Sequence, residues 1–508
     1  MNDYDLLIIG GGINGTGIAR DAAGRGLNVL LVEMSDLASA TSSKSTKLIH
    51  GGLRYLEYYD FMLVRKALIE REILLKAAPH IIHPLKFILP HEAHLRPKWM
   101  IRIGLFLYDH LSRRKTLGKS RHITFEAEDH NNPLQGRFTD GFTYFDCWAD
   151  DARLVVLNAH DARKLGADIR TRTKFIAAKN NGDHWQAELF SEKKGAQTIT
   201  VKAIVNAAGP WVSDIINDGL ALPAHNRLRL VKGSHIIVPK LYDGEAAYIL
   251  QNKDGRIIFA LPYEQDYTLI GTTDVPYTGD PSKVHISEEE ITYLCHHINM
   301  YFKPTLAHGN PLSASDVISH YAGVRPLYDD ATKEASAVTR DFVISLRKDN
   351  DSGEAAAPLL SIFGGKITTY RYLAEKALEK LAEFFPENPK ISTPWTTIAP
   401  LPGGDIPGGD MTKFINIKQK LYPWLDKDLC AGYAHKYGTR MDDMLDQESQ
   451  NAELIGPNLY DYEAAFLVAE EWAVTAEDIL WRRTKLGLTW SEQDVANLEK
   501  WLEKHLTR

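Results

Sequence analysis

Short hydrophobic runs separated by small residues mark the start of the chain. Residues 5–9 are apolar after the first position and have the length of a buried strand, and residues 28–32 repeat this character. Between the two runs, residues 16–25 are rich in Ala and other small residues and predict a helix. A strand, a helix and a second strand in this order predict a βαβ unit.

The rest of the chain divides into segments of different periodicity. Residues 79–144 are interpreted as largely irregular, residues 227–277 alternate as in an antiparallel sheet, and residues 411–508 show helical periodicity. The remaining predicted helices are 61–78, 150–165, 287–301 and 367–384. The remaining predicted strands are 168–173, 185–189, 198–201, 203–209 and 359–363.

Composition narrows the class of protein. The chain has 508 residues and a net charge of -7, which argues against general nucleic-acid binding. It contains no apolar run of the ~20 residues that span a bilayer, and the first strand begins where a signal peptide would lie, so none is expected. Three widely spaced cysteines predict neither a disulfide framework nor a metal site. We therefore expect a protein of a reducing compartment.

The first turn carries the fingerprint of a dinucleotide site. Gly10, Gly12 and Gly15 lie between the predicted strand and helix, and Glu33 ends the second strand eighteen residues after Gly15. Glycines at these positions permit a tight turn, a close approach of a pyrophosphate and close packing of helix on strand. A carboxylate at Glu33 can accept ribose hydroxyls and would repel a 2′-phosphate. The pattern predicts an ADP-containing dinucleotide other than NADP.

Two features favour a flavin over a nicotinamide: the sequence shows no obvious separate catalytic domain, and a second glycine turn lies between a strand and a helix. The pair Gly364-Gly365 ends a predicted strand and opens a helix, whose N-terminus can stabilise negative charge on a reduced flavin. The stretch 41–55 offers many hydroxyls directly after the ribose-binding acid. A polar surface loop is the alternative interpretation of that stretch.

Four cations lie at strand edges or tight turns, where their side chains can reach a pocket. These are Arg54, Arg325, Arg340 and Lys366. Together they would form a site for a dianion such as phosphate, because Arg donates in a fork and Lys acts as a point charge. Each alone is typical of a surface residue, and the sequence does not show that they converge.

One segment is strongly basic. Residues 94–122 contain eight Lys or Arg against the single acid Asp109. Trp99, Ile103, Phe106 and Leu107 fall on one helical face within it. The pattern alone favours a helix that packs this face on the core; the alternative is an amphipathic helix lying on an anionic membrane.

At this point the sequence resembles the FAD-dependent glycerol-3-phosphate dehydrogenase family, most closely its bacterial aerobic, membrane-associated members. The resemblance extends from residue 1 to the helical C-terminus. Its motifs are Gly-Gly-Gly-Ile-Asn-Gly from residue 10, Ser-Thr-Lys-Leu-Ile-His-Gly-Gly-Leu-Arg-Tyr from 45, His-Leu-Arg-Pro-Lys-Trp-Met from 94, Lys-Gly-Ser-His from 232, Ile-Gly-Thr-Thr-Asp from 270, Gly-Val-Arg-Pro-Leu from 323 and Phe-Gly-Gly-Lys-Ile-Thr-Thr-Tyr-Arg from 363.

The resemblance implies an activity and partners. It implies non-covalent FAD and oxidation of sn-glycerol 3-phosphate to dihydroxyacetone phosphate, by hydride transfer from C2 to flavin N5. Electrons would pass to ubiquinone or menaquinone. The enzyme would be a homodimer, peripheral on the cytoplasmic face of the inner membrane and also recoverable from the cytoplasm. The basic segment would then contact the anionic membrane surface, which reverses the preference given by the pattern alone.

The resemblance also assigns site residues. His235 is the first candidate for the catalytic base and His50 the second, because a near-neutral pKa suits proton transfer; Arg325 would polarise the hydroxyl or bind the phosphate. The predicted substrate residues are Arg54, Tyr55, His235, Thr272, Arg325, Arg340 and Lys366. The predicted FAD residues are Gly10, Gly12, Ile13, Asn14, Gly15, Glu33, Thr41, Ser42, Ser43, Lys47, Leu48, His50, Gly52, Gly209, Gly364, Gly365, Lys366, Ile367 and Thr368.

The predicted fold is an α/β (α+β) flavoprotein of the two-dinucleotide-binding type. It combines a Rossmann-like FAD domain, an antiparallel-sheet substrate domain and a C-terminal helical domain. The predicted boundaries are 1–78, 145–226 and 323–392 for the FAD domain, 79–144 for the basic membrane-facing part of the substrate domain, 227–322 for the substrate-binding sheet and 393–508 for the helical domain.

Four alternatives remain open at this stage. A glycerol-3-phosphate oxidase would use O2 but would carry a long central insertion that this chain lacks. An amine or amino-acid oxidase would need one carboxylate-binding arginine rather than four cations. A flavin-dependent RNA-modifying protein is disfavoured by the acidic charge. A non-catalytic flavin scaffold would bind flavin that no substrate reduces.

Overall fold

Two large sheets and a helical C-terminal region make up the fold. The computed structural model describes residues 3–113, 116–126, 132–223, 227–304, 309–329, 341–349, 355–446 and 448–506. The α-helices in these residues are α1 Ile13–Gly24, α2 Phe61–Ala77, α3 Lys98–His110, α4 Asp151–Lys164, α5 Val212–Asp214, α6 Glu288–Tyr301, α7 Tyr370–Leu381, α8 Met411–Leu421, α9 Lys427–Tyr437, α10 Met441–Met444, α11 Asp461–Glu471 and α12 Glu492–Leu506.

The strands follow the same chain order. They are β1 Tyr4–Ile9, β2 Val29–Val32, β3 Leu48–Ile49, β4 Ile82–Pro90, β5 Arg121–Thr124, β6 Asp140–Ala149, β7 Asp168–Arg170, β8 Lys174–Asn180, β9 Trp185–Ser191, β10 Gly195–Asn206, β11 Arg227–Pro239, β12 Ala247–Gln251, β13 Ile257–Tyr263, β14 Tyr267–Gly271, β15 Val275–Pro276, β16 Ser319–Asp329, β17 Val343–Asp349, β18 Ala355–Phe363, β19 Leu454–Gly456 and β20 Leu459–Tyr460.

The first sheet has the order β17-β18-β10-β1-β2-β7. Strands β18, β10, β1, β2 and β7 run parallel, and β17 closes one edge antiparallel to β18. Strands β8 and β9 extend this sheet from β10. The second half of β1 and the whole of β2 are buried and apolar, because helices pack on one side of them and residues of β8 and β9 on the other. Small residues let α1 approach its neighbours: a Cβ at Gly17 would lie 2.6 Å from the ring of Tyr370 in α7. The predicted Rossmann-like sheet is confirmed.

The second sheet has the order β15-β11-β14-β13-β12-β4-β6-β3, with β16 beside β11 and β5 beside β6. It is mixed rather than purely antiparallel, since β4 runs parallel to β12. Strands β4, β5 and β6 come from residues 79–149, so the prediction that 79–144 is largely irregular was wrong. The pairing of β4 with β6 is a contact between distant positions, which local periodicity does not report.

Helix α3 exposes the side that the pattern alone placed against the core. Trp99, Ile103 and Phe106 are 63, 51 and 55 % exposed, whereas Leu105, Tyr108 and Asp109 are buried. The interpretation that this apolar side of α3 packs on the core is therefore wrong. Arg114 and Lys115 of the basic segment lie outside the described residues. No helix in the described part of the chain has the length and hydropathy needed to cross a bilayer.

The C-terminal region is built from helices α8 to α12 and the short hairpin β19–β20. It has a hydrophobic core of its own, centred on residues such as Tyr433, Tyr437, Met441 and Leu467. Asp410 caps α8 and Asp426 caps α9 by accepting backbone N–H groups of the first turn, which fixes where both helices begin. The predicted C-terminal helical domain is confirmed as a fold element.

Candidate functional site

The glycine turn between β1 and α1 is tightly packed. Gly10 has a φ of +111°, and a Cβ there would lie 2.6 Å from the carbonyl oxygen of Ala207. A Cβ at Gly15 would lie 2.0 Å from the carbonyl oxygen of Gly10. Side chains are excluded at both positions, so α1 begins directly behind the end of β1. The Ile13 N–H of its first turn donates to the Ser42 hydroxyl at 3.0 Å, and a helix N-terminus placed in this way can attract an anion.

Glu33 lies beside this turn. Its carboxylate accepts the backbone N–H of Gly11 at 2.7 Å and that of Ser35 at 2.8 Å. Burial raises the pKa of Glu33, and these two N–H groups oppose that effect. Each carboxylate oxygen retains a lone pair for a further donor, such as a ribose hydroxyl.

A cavity of about 320 Å³ lies next to this region. Strands of the second sheet line it, together with Ile13 of α1, loop residues such as Thr41, and the Gly364-Gly365 turn that follows β18 of the first sheet. Of the residues predicted from the sequence, the lining includes Ile13, Thr41, Ser42, Leu48, His50, Gly52, Arg54, Tyr55, His235, Thr272, Arg325, Gly364, Gly365, Lys366, Ile367 and Thr368. The structure thus brings together the hydroxyl-rich loop, the Gly364-Gly365 turn and three of the four predicted cations. Arg340 lies outside the described residues.

The Gly364-Gly365 turn meets α1 through Asn14. Gly364 and Gly365 have φ values of +73° and +98°, so both favour glycine. The Asn14 amide nitrogen donates to the carbonyl oxygen of Gly364 at 3.1 Å. The side-chain oxygen Oδ1 of Asn14 is buried and has no hydrogen-bond partner among the described residues. A buried orphan acceptor between two glycine turns fits a site completed by a bound group with donors.

The remaining predicted cofactor residues do not line the cavity. Gly10 and Gly12 belong to the glycine turn, Asn14 and Gly15 to the first turn of α1, and Glu33 follows β2 beside them. Gly209, with a φ of +57°, follows β10, and a Cβ there would meet no described atom within 4 Å. Ser43 lies in the same loop as Thr41 and Ser42.

The side chain of Lys47 is committed elsewhere, although its neighbours Thr46 and Leu48 line the cavity. Its ammonium is buried and pairs with Asp151 at 2.8 Å. Burial alone would lower the pKa of Lys47, but the Asp151 carboxylate raises it above its ordinary value. The ammonium therefore stays charged behind the cavity wall.

His235 is buried at the cavity wall. Its Nε2 shares a hydrogen bond of 2.9 Å with the hydroxyl of Thr46, and its ring stacks on Tyr321 with centroids 4.8 Å apart. Its Nδ1 has no hydrogen-bond partner among the described residues. Burial, together with the charges of Lys47 and Arg325, holds the pKa of His235 well below its usual range. The imidazole is neutral at pH 7, with one ring nitrogen available.

The cations of the cavity are individually anchored. The Arg325 guanidinium donates to the carbonyl oxygen of Thr273 at 2.9 Å and lies 3.5 Å from the Asp274 carboxylate. The Lys366 ammonium lies 3.7 Å from the ring centroid of Tyr55, a cation–π contact. These contacts fix where the charges lie before any ligand binds.

Several lining residues were not predicted as site residues. They include Lys44, Ser45, Thr46, Tyr144, Arg256, Phe259, Asp274 and Asp341. Lys44, Ser45 and Thr46 belong to the hydroxyl-rich stretch, and Asp274 ends the Ile-Gly-Thr-Thr-Asp motif, so the sequence contained a signal for them. Arg256 lies directly before β13, and no local sequence pattern indicates that it belongs to a site.

Two family models match the chain. A model described as FAD dependent oxidoreductase matches residues 5–351, and one described as the C-terminal domain of alpha-glycerophosphate oxidase matches residues 395–504.

Individual relatives match over nearly the whole length. A glycerol-3-phosphate dehydrogenase of Pseudomonas aeruginosa is 51 % identical over 98 % of this chain and 95 % of its own. A D-erythritol 1-phosphate dehydrogenase of Brucella abortus is 49 % identical over 98 % of this chain and 97 % of its own. Among solved structures, the glycerol-3-phosphate dehydrogenase of Bacillus halodurans complexed with FAD gives a TM-score of 0.72 at 27 % identity, over 99 % of this chain and 94 % of that one.

Proposed function

The chain belongs to the FAD-dependent glycerol-3-phosphate dehydrogenase family, and from that premise we propose that it oxidises sn-glycerol 3-phosphate to dihydroxyacetone phosphate and passes the electrons to a membrane quinone, ubiquinone or menaquinone. The observation that supports this substrate is the single cavity in which a neutral, buried histidine and several cations lie beside the FAD-type glycine turns.

FAD fits the residues that surround this cavity. Glu33 would accept hydrogen bonds from the hydroxyls of the adenosine ribose, and the N-terminus of α1 would bind the pyrophosphate. Thr41, Ser42 and the Gly364-Gly365 turn would border the flavin. When bound without a covalent link, FAD supplies a two-electron acceptor that takes the C2 hydride at N5. The orphan oxygen of Asn14 supports this assignment, because it lies between the two turns that the cofactor would bridge.

His235 would handle the proton of the C2 hydroxyl. Because its pKa is depressed, the imidazole is uncharged at neutral pH and has an acceptor nitrogen to offer. The hydrogen bond between Nε2 and the Thr46 hydroxyl fixes the orientation of the ring, and Nδ1 would be the acceptor in the tautomer in which the Nε2–H donates to Thr46. The nearby charges of Lys47 and Arg325 oppose an imidazolium, so the proton would pass on rather than remain on the ring. His50, which also lines the cavity, is the second candidate for this role.

The cations would bind the phosphate and stabilise negative charge on the substrate oxygen. Arg54, Arg325 and Lys366 line the cavity and provide two guanidinium forks and an ammonium. Tyr55 and Thr272 would add hydroxyl donors. We place Arg340 in the same set from the motif alone.

Helix α3 would dock the enzyme on the cytoplasmic face of the inner membrane, as a peripheral homodimer that is also recoverable from the cytoplasm. Its exposed Trp99, Ile103 and Phe106 are flanked by cations such as Lys98 and Arg102. An apolar stripe with basic flanks binds anionic lipid by burial and by charge. This orientation would bring the cavity close to the quinone pool.

The acceptor separates this proposal from its alternative, a glycerol-3-phosphate oxidase, which the match of the C-terminal domain keeps open. Turnover of sn-glycerol 3-phosphate is measured with a soluble quinone and with O2, and dihydroxyacetone phosphate and peroxide are quantified. We expect at least tenfold faster product formation with quinone. Rapid peroxide formation without quinone would favour the oxidase, and preferential oxidation of D-erythritol 1-phosphate would overturn the substrate.

A further inference from the structure

The C-terminal helical domain contributes no described residue to the lining of the cavity. It nevertheless contacts the segment of residues 33–47, which begins at Glu33 and contains the lining residues Thr41, Ser42, Lys44, Ser45 and Thr46. The contacts are buried ion pairs at Asp36, near the first end of this segment, and an indirect connection through α4 at the second end.

At the first end, Asp36 is held by two consecutive arginines of the C-terminal domain. Arg483 Nη1 and Nη2 lie 2.7 and 2.8 Å from the two carboxylate oxygens of Asp36, and Arg482 Nε lies 2.5 Å from one of them. The side chains of Asp36 and Arg483 are 2 and 0 % exposed. Asp36 therefore receives three charge-assisted hydrogen bonds from outside its own domain.

A further residue closes this contact into a ring. Arg172 donates its backbone N–H to the carbonyl oxygen of Ser35 at 2.9 Å and its guanidinium to Asp478. Asp478 also pairs with Arg482. The backbone of the segment beside Glu33 is thus connected to the C-terminal domain at Ser35 and at Asp36.

At the second end the connection runs through α4. Lys485 Nζ lies 3.1 Å from both carboxylate oxygens of Asp150, the residue that caps α4. The adjacent Asp151 accepts the hydroxyl of Ser45 at 2.7 Å and pairs with Lys47 at 2.8 Å. One short stretch of the C-terminal domain, 482–485, is therefore connected to the segment directly at Asp36 and, through α4, at Ser45 and Lys47.

We propose that the C-terminal domain is a structural part of the FAD site, in which Arg482, Arg483 and Lys485 act as positioning residues that hold the 33–47 segment in its cofactor-binding conformation. The proposal rests on the assignment of Glu33, Thr41 and Ser42 to FAD. Buried ion pairs impose a specific geometry because a misplaced charge is left uncompensated. A segment ordered in advance loses less conformational entropy when FAD binds, so affinity depends on these pairs.

The test measures FAD affinity in two matched pairs of full-length variants. Arg482→Met removes a buried cation that touches the segment but leaves Asp36 paired with Arg483. Arg440→Met removes a buried cation of the same domain that pairs with Glu471 and does not touch the segment. The apoproteins are titrated with FAD by flavin fluorescence, and circular dichroism checks that they fold.

We expect R482M to raise the Kd for FAD at least tenfold and R440M to leave it within twofold, with the KM for substrate at saturating FAD unchanged in both. Equal Kd values for the two variants would overturn the proposal, since a merely structural role would affect both alike. If R482M does not fold, Lys485→Met replaces it, with Lys418→Met as the control. Lys418 is a buried lysine that pairs with Asp442 within the C-terminal domain. A Kd for K485M equal to that of K418M would equally overturn it.

Glu33→Gln separates the two possible failures. If E33Q raises the Kd while R482M and K485M do not, the segment binds FAD without help from the C-terminal domain and only the positioning role is overturned. If E33Q also leaves the Kd unchanged, the assignment of the segment to FAD is itself wrong.

Discussion

The phenol oxygen of Tyr108 accepts the backbone N–H of Gly51 at 2.9 Å. Tyr108 lies on the buried side of α3, and the opposite side exposes Trp99 and Phe106. Gly51 lies between the cavity residues His50 and Gly52. The Tyr108 hydroxyl donates in turn to Asp146 at 2.7 Å, and Asp146 pairs with Arg71 at 2.6 Å. The helix that presents the apolar surface is therefore connected by hydrogen bonds to a wall of the cavity.

Replacing Tyr108 by Phe is expected to impair the site more than the fold. The change removes the shorter of the two hydrogen bonds of the Gly51 N–H, which keeps a 3.3 Å bond to Asp146, and it removes one donor to Asp146. The two lost hydrogen bonds cost about 1–3 kcal/mol of stability. We expect kcat/KM to fall about tenfold because the His50 to Tyr55 loop is held less firmly, a loss of about 1.4 kcal/mol. Steady-state kinetics and denaturant unfolding measure the two effects.

Tyr301→Phe is the control for that variant. The Tyr301 hydroxyl donates to the carbonyl oxygen of Gln251, and neither residue lines the cavity. A similar loss of stability without a change in kcat/KM is expected. If Y301F and Y108F reduced kcat/KM equally, the special role of the Tyr108 contact would be refuted.

Thr46→Val is expected to slow flavin reduction without weakening the binding of FAD. The substitution removes the hydrogen bond to His235 Nε2, and a general base that loses its orientation contributes less than the usual factor of about 10²–10⁴. We expect the rate of flavin reduction to fall between tenfold and a hundredfold, roughly 1.4–2.7 kcal/mol. Stopped-flow absorbance measures the rate. Thr268→Val, which removes a buried hydroxyl that accepts the N–H of Leu241 away from the cavity, should leave it unchanged.

Acidification is expected to destabilise the fold through buried histidines. Burial and the charges of Arg153, Arg440 and His435 lower the pKa of His80 to about 3, and burial, then Arg440, lower that of His160 to about 3. A folded pKa below the unfolded value means that the unfolded chain binds more protons, so this stability is present above pH 6.5 and is lost as the pH falls towards 3.

The size of this effect can be measured at one residue. Between pH 7.5 and pH 5.5 the free energy of unfolding should fall by about 1.4 kcal/mol through His80. The lower pH is one unit below the unfolded pKa of about 6.5, and the folded histidine stays neutral at both pH values. His80→Gln should reduce the pH dependence by that amount in denaturant unfolding at the two pH values. An unchanged pH dependence would show that His80 is not held neutral by the fold.

The exposed side of α3 is expected to bind lipid. Trp99→Ser combined with Phe106→Ser removes two large apolar side chains, and we expect at least tenfold weaker binding to vesicles containing anionic lipid, about 1.4 kcal/mol or more. Co-sedimentation at low and high salt measures the binding, which salt should weaken. Ile398→Ser is the control, since Ile398 is 83 % exposed and lies outside α3. Equal loss in both variants would contradict a docking role for α3.

The parts of the fold that the sequence predicts are those set by neighbouring residues. The strand, turn and helix from β1 to α1 follow from an apolar run and from glycines that no other residue can replace at Gly10 and Gly15. The same holds for Gly364-Gly365. Local patterns suffice there because the geometry depends on backbone conformation within a few residues.

Long-range relationships are the part that the sequence does not predict. Asp36 and Arg483 pair across 447 positions, and nothing near either residue marks the other. For α3, periodicity predicts an apolar side but not what covers it, so the pattern alone placed that side against the core and only the resemblance to a family placed it outward. Cavity residues such as Arg256 were missed for the same reason, since only the folded sheet brings them to the same cavity as His235.

The most direct test of the proposed reaction is anaerobic titration of the FAD-loaded protein with sn-glycerol 3-phosphate, followed by the flavin absorbance at about 450 nm. We predict that wild-type protein is bleached within the time of mixing, that soluble quinone restores the absorbance quickly and air only slowly, and that Arg325→Met is bleached only at much higher substrate concentration. A wild-type flavin that sn-glycerol 3-phosphate does not reduce would contradict the account.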